Sequence, residues 1–274
     1  MVSNKIIMLC KSILFLLIFL SSCGFLRTTQ RHEDTSNWTV NKFYSEAKHD
    51  LEAGDYKGAI RLFEGLEARY PYGIYPQQAL LEIAYANYKE RQPAATIIAV
   101  DRFIKLYPNH PNVDYAYYLK GLANFNDDLQ VGGVFIQKVM KQKMAERDSN
   151  ASRESFENFK DLVTRFPNSK YRADGIKRMT YLINEIAMGE IYVAHHYIER
   201  GAYIAAVNRA QFILKEYPQT QATEEALSII IKSYDALGMN DLRDDAERVM
   251  RKSFPDSPFL SDSNILDIKS WWKF

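Results

Sequence analysis

The chain has 274 residues, with 35 Lys and Arg against 34 Asp and Glu. So even a balance offers no basic stripe for nucleic acid and no polybasic patch for an anionic membrane surface. Its two cysteines, Cys10 and Cys23, both lie near the start, so the long remainder has no thiol for a disulfide, a zinc site or a nucleophile and must be held together by burial.

In chain order, Lys5 and Lys11 supply a positive start ahead of an apolar run, Ile13–Leu20. The run is much shorter than the roughly 20 residues a membrane-spanning helix needs, so it reads as the core of a signal peptide over residues 1–22. The next residues, Leu20-Ser21-Ser22-Cys23-Gly24, resemble the lipobox of bacterial lipoproteins. The resemblance implies cleavage before Cys23, diacylation of its thiol and acylation of the new amine. One acyl chain holds a protein only marginally, whereas three on one residue make a lasting anchor. Gly24 stands where the sorting rule of such lipoproteins places aspartate for inner-membrane retention, so the expected address is the outer membrane, with the body in the periplasm. Setting residues 1–22 aside removes two basic residues and no acidic ones, which leaves the rest one charge short of neutral. Residues 23–37 are polar without an apolar period and read as a tether.

From residue 38 onward the chain repeats. Tyr70-Pro71, Tyr107-Pro108, Phe166-Pro167, Tyr217-Pro218 and Phe254-Pro255 each close an amphipathic stretch, because proline disfavours helical geometry in the residue before it. Two helical patterns precede each proline. The first unit has Phe43 and Ala47 in its first helix, a Gly54-Asp55-Tyr56 turn, then Ala59, Phe63 and Pro71. This order of large, small, small, large and proline resembles the tetratricopeptide repeat, in which small residues let paired helices approach and large ones fill the groove beside the crossing.

Later units keep the order with departures. Leu80, Ala84, Phe103 and Pro108 fit the second, with Thr96 in place of the small alanine. Tyr117, Gly121, Phe159, Leu162 and Pro167 mark the third, which carries an insertion over about 126–152 that includes Gly132-Gly133. Ala194, Tyr197, Gly201, Ala206, Ile213 and Pro218 mark the fourth, and a helix from near Tyr171 to Arg200 is expected to lead into it. Leu227, Tyr234, Gly238, Met250 and Pro255 mark the fifth, where Arg243 takes the small position, as suits a terminal unit facing water. The expected fold is an all-α solenoid of five helix pairs over residues 38–258, followed by a tail over 259–274 with Trp271-Trp272.

Reactive constellations are hard to find. His195 and His196 are adjacent on a helix and point about 100° apart, so they cannot readily share a metal and read as a surface pair. Gly132-Gly133 lacks the Lys-Ser or Lys-Thr step of a phosphate loop, and no serine sits in a nucleophile elbow. Asp127-Asp128, Glu224-Glu225 and Asp244-Asp245 suit turns and helix starts. The reading is a binding protein rather than an enzyme, with no cofactor and no metal.

Several strings resemble one family closely: Arg69-Tyr70-Pro71-Tyr72-Gly73-Ile74-Tyr75, Asp101-Arg102-Phe103-Ile104-Lys105-Leu106-Tyr107-Pro108, Glu199-Arg200-Gly201-Ala202-Tyr203 and Val207-Asn208-Arg209. The family is BamD, also called ComL, the lipoprotein of the outer-membrane β-barrel assembly machine. The resemblance implies a scaffold whose later repeats dock on the β-barrel insertase, whose early repeats meet unfolded outer-membrane proteins through their aromatic C-terminal strand, and whose insertion meets accessory lipoproteins. Tyr72, Tyr75, Tyr85 and Tyr88 are the candidate client-binding residues, Arg209 the candidate docking residue, and Cys23 the lipid attachment site. The rival reading is a lipoprotein scaffold for peptidoglycan or lipopolysaccharide machinery.

Overall fold

A computed structural model describes residues 35–125 and 149–260. Cys23, Gly132-Gly133 and Trp271-Trp272 lie outside them. Residues up to Thr39 belong to one compact unit and those from Val40 onward to a second. Among the described residues, the second unit consists of ten α-helices and one short 3-10 turn, with no strand. The helices are α1 (Val40–Ala53), α2 (Tyr56–Arg69), α3 (Ile74–Lys89), α4 (Pro93–Leu106), α5 (Val113–Ala123), α6 (Ser149–Arg165), α7 (Arg172–Glu199), α8 (Tyr203–Glu216), α9 (Ala222–Ala236) and α10 (Asn240–Ser253); the 3-10 turn is Pro258–Leu260. No helix of the described residues is long and apolar enough to cross a membrane.

Each helix packs on the one before it and the one after it. The odd helices also meet one another: α1 touches α3, α3 touches α5 and α7 touches α9. A chain of such neighbour contacts is a helical solenoid. The small positions of the repeat sit at the crossings. Ala47, Ala59, Ala84, Ala194 and Ala206 are fully buried, and Phe63, Phe103, Phe159 and Ile213 fill the grooves beside them. Thr96, in the alanine place of α4, is buried too, with its hydroxyl donating to the Gln92 carbonyl at 2.9 Å. Gly121 allows a very close approach of two helices: a Cβ there would lie 2.5 Å from the Phe159 ring.

The aromatic–proline stops act as the backbone rule requires. Tyr70, Tyr107, Phe166, Tyr217 and Phe254 each donate their N–H to the carbonyl four residues back, at 2.7–2.9 Å, and the helix ends there. Where the cap geometry is given, φ lies between −125° and −136°, the extended side that a following proline imposes. The turns inside the pairs use left-handed residues. Gly54, Gly201 and Gly238 have φ of 83°, 70° and 70°, but in the second pair the same place is held by Arg91 at φ 57°. Asp55 caps α2 by accepting from the Gly58 N–H at 2.9 Å.

Two differences from the sequence reading, at the start of α6 and at His195, have physical causes. Helix α6 begins at Ser149, so the last residues assigned to the insertion are helical; Phe156 packs on the third-pair core, and Ser155 Oγ donates to the Gly121 carbonyl at 2.8 Å. Helix α7 runs unbroken for 28 residues through two glycines, over the span expected from the sequence, and a Cβ at Gly175 would lie 3.3 Å from Leu162, a tight contact. His195 is not a surface residue: it is half-buried and its Nε2 lies 2.8 Å from Glu225 Oε1.

Candidate functional site

Two regions of the solenoid gather polar and aromatic groups in ways that core packing alone does not require. The first is the odd-helix face of the early pairs. Tyr44 on α1 meets Tyr75 on α3 edge to face at 5.4 Å, and one helical turn further on Lys48 Nζ pairs with Glu82 Oε1 at 3.0 Å. Burial, then the nearby Glu82 carboxylate, raises the Tyr44 hydroxyl above its ordinary value. Tyr115 on α5 is pushed up further, first by burial and then by Tyr85, Tyr171 and Glu82 around it. Tyr118 stacks on Tyr171 at 4.7 Å and donates to Asp174 Oδ2 at 2.7 Å, and burial together with that bond pushes its hydroxyl up to about 12. The row continues along α7, where Arg178 Nε donates to Asp174 at 2.6 Å and the guanidinium lies 4.4 Å from the Phe125 ring centre. The result is a run of half-buried tyrosines with charged residues at intervals. Such a surface offers apolar area and hydrogen-bonding tips at low entropic cost.

The four tyrosines singled out from the sequence do not form one patch. Tyr75 and Tyr85 lie on this face. Tyr88, one helical turn from Tyr85, packs on the core around Leu122, Phe125 and Phe159, as Tyr118 and Tyr171 also do. Tyr72 stands in the loop before α3 and is 91% exposed, next to the left-handed Gly73 and to Ile74, which is 64% exposed. Tyr44, Tyr115, Tyr118 and Tyr171 were not among the candidate client-binding residues; the stacking of one helix pair on the next brings them together.

The second region is the junction of α6, α7 and α8. Ala206, Ala210 and Ile213 fill the packed side of α8, and Arg209 sits at its margin with 37% of its side chain exposed. Its Nη1 donates to Glu190 Oε2 on α7 at 2.8 Å. The other carboxylate oxygen of Glu190 accepts from Arg153 Nη2 at 3.2 Å, while Arg153 Nη1 donates to the Tyr217 hydroxyl at 2.8 Å. One carboxylate is thus held between two guanidiniums, and two arginines meet where three helices join. Glu190 and Arg153 were not singled out from the sequence, since a partner 19 residues away on another helix leaves no local signal.

Residues 36–249 match the family model YfiO, described as an outer membrane lipoprotein. The chain belongs to the YfiO/BamD family. A BamD-family protein of Neisseria meningitidis serogroup A, named outer membrane protein assembly factor BamD, is 41% identical over 256 residues, covering 93% of this chain and 94% of that one. The protein of the same name from Xylella fastidiosa Temecula1 is 36% identical over 93% of this chain and 84% of its own length. The one from Haemophilus influenzae is 34% identical over 80% and 82%. Among solved structures, the crystal structure of MamA protein aligns over 78% of this chain and 88% of that one at 16% identity and a TM-score of 0.34, a fit too loose to bear on the fold. BamD-family membership groups the chain with outer-membrane protein assembly factors.

Proposed function

We propose that this chain is a non-catalytic scaffold of outer-membrane protein assembly, anchored by lipid on Cys23 to the outer membrane with its body in the periplasm. The odd-helix face of the first three pairs receives the aromatic C-terminal strand of unfolded outer-membrane proteins. The α8 side, with Arg209, docks on the β-barrel insertase, and the 126–148 segment meets accessory lipoproteins. The observation that carries the client reading is the row Tyr44, Tyr75, Tyr115, Tyr118 and Tyr171, punctuated by Lys48–Glu82 and Asp174–Arg178. Aromatic edges take aromatic partners, and the paired charges set the register of an extended backbone laid across them. Photocrosslinkers at Tyr75 and Tyr85 should capture peptides with an aromatic C-terminus more strongly than crosslinkers at Leu242 and Val249 in the fifth pair. Equal or reversed labelling would defeat the client reading.

Arg209 suits docking because a guanidinium offers five N–H donors and Glu190 accepts from only one nitrogen of it. A carboxylate on the insertase can take the exposed edge, with the arginine already oriented. The anchor is tested separately: Cys23→Ser should abolish incorporation of labelled palmitate, and persistent incorporation would rule out that attachment site.

A further inference from the structure

The Arg209 side of α8 is held from a helix of the preceding pair. Arg153 on α6 reaches two other elements with one guanidinium. Its Nη2 donates to Glu190 Oε1 on α7 at 3.2 Å, and its Nη1 donates at 2.8 Å to the hydroxyl of Tyr217, the residue that ends α8. Glu190 hands its other oxygen back to α8, accepting from Arg209 Nη1 at 2.8 Å. The bonds therefore run from Tyr217 through Arg153 and Glu190 to Arg209. Both ends of that line stand on α8 and its cap, about 12 Å apart along the helix.

Arg209 needs such support. It meets Glu190 through one nitrogen and makes no other side-chain hydrogen bond among the described residues. A single bond to a carboxylate that can turn about its own axis would leave a long side chain free to swing. The Glu190 carboxylate is largely buried, and Arg153 on its second oxygen stops that turn. Tyr217, which is buried, fixes Arg153 in its place. Charge points the same way. Two guanidiniums share one carboxylate, so the cluster carries one positive charge in excess. The unbonded edge of Arg209 is the part left to meet an acidic group, with the strength of a charge-assisted bond.

We infer that Arg153 is a positioning residue of the docking surface: through Glu190 it holds the Arg209 guanidinium with its free edge ready for a carboxylate of the insertase. The side chain is then ordered before the partner arrives rather than on contact, which removes one cost of binding. Part of the docking site thus belongs to the third helix pair, although the contact itself is made by the fourth. This inference rests on the docking role given above to Arg209.

Full-length protein labelled with nitrogen-15 arginine tests it by NMR, with the Arg209 Nε–H signal assigned by its loss in Arg209→Ala. The Arg209 guanidinium should rotate slowly in the unmodified chain and freely in Arg153→Met. Tyr217→Phe, which removes only the hydroxyl and keeps the ring against Phe212, should free it in part and serves as the milder variant if Arg153→Met melts early. In titrations with purified insertase, Arg153→Met should weaken binding about two- to ten-fold, the range for ordering one long side chain on contact. The same substitution should add nothing in an Arg209→Ala chain. An Arg209 guanidinium as hindered in both variants as in the unmodified chain would overturn the inference and leave Arg153 a purely structural tie. Equal weakening in the Arg209→Ala background would also overturn it, since Arg153 would then touch the partner directly. If Arg209→Ala binds as tightly as the unmodified chain, the docking reading fails first and this inference with it.

Discussion

The early and late pairs of the solenoid are built from different materials. Around α5 to α7 the packing is aromatic: Phe159 meets Phe125 and Tyr118, and Tyr117 meets Phe166. Around α7 to α9 the core is Ile186, Ala187, Ile191, Ala194, Ala206, Ala210, Ile213, Ala226 and Ile229, nearly all small or β-branched. The first arrangement leaves many half-exposed rings whose edges can serve an incoming strand. The second draws the helices close and sets ion-paired groups at its margin, Arg153, Glu190, Arg209 and the His195–Glu225 pair. One repeat plan thus makes both a broad adaptable surface and a compact junction with a fixed charge.

The largest expected effect tests whether the aromatic part depends on its central ring. Phe159 is fully buried and fills the space above Gly121. Phe159→Ala should cost about 3–5 kcal/mol, a fall of roughly 10 °C in Tm for a chain of this size, measured by thermal melting. A shift of only a degree or two would mean that the Tyr118–Tyr171 stack carries that region instead.

The next test concerns the junction. Arg209→Ala should release the insertase at a cost of about 2–5 kcal/mol of binding while leaving the fold intact, because Glu190 keeps Arg153 as a partner. Arg209→Lys should restore only part of it, since an ammonium lacks the planar fork. Co-purification with circular dichroism of each variant decides it; undiminished co-purification would return Arg209 to an intramolecular role with Glu190.

A smaller effect tests the close approach in the aliphatic part. Ala206→Leu should overpack the crossing of α7 and α8 and cost roughly 1–3 kcal/mol. An unchanged melting temperature would show that this pair has slack, and the contrast between the two halves would then lie in composition alone.

The smallest concerns pH on the aromatic side. Burial by itself would raise the Asp174 carboxyl, but hydrogen bonds from Arg178 and Tyr118 outweigh it and hold the group below the usual 3.8. A lowered folded value means that its contribution is complete above 3.8 and is lost as pH falls below that. Asp174→Asn should therefore flatten the acid limb of a plot of Tm against pH below about 4 and leave its slope near neutrality unchanged. An unaltered acid limb would remove Asp174 from the stabilising set.

What was legible in the sequence follows from what is local. Tyr70, Tyr107, Phe166, Tyr217 and Phe254 could be read as helix ends because the proline constraint acts on the adjacent residue. Ala59, Phe63, Ala206 and Ile213 could be read as core because their spacing follows one helix. Tyr85 and Tyr88 could not be sorted, because α3 is apolar on more than one side, with Leu80, Leu81, Ile83, Ala84 and Ala86 all buried; only the neighbours show that one ring faces the groove and the other the core. Arg91 was hidden for another reason: it holds a left-handed turn where three of the other pairs use glycine, a backbone state that composition does not announce. The Arg153–Glu190–Arg209 cluster exists only once three helices are stacked.

Helix α7 has a mechanical consequence. Asp174 near its start holds Tyr118 of α5, and Glu190, sixteen residues on, holds Arg209 of α8. At 1.5 Å per residue these two grips are about 24 Å apart on one rod. A tilt of about 5° pivoting at one grip would carry the other through about 2 Å, the difference between a made hydrogen bond and a broken one. The stiffness of a single helix therefore sets how far a load applied at the α8 junction can be absorbed before it is felt among the tyrosines.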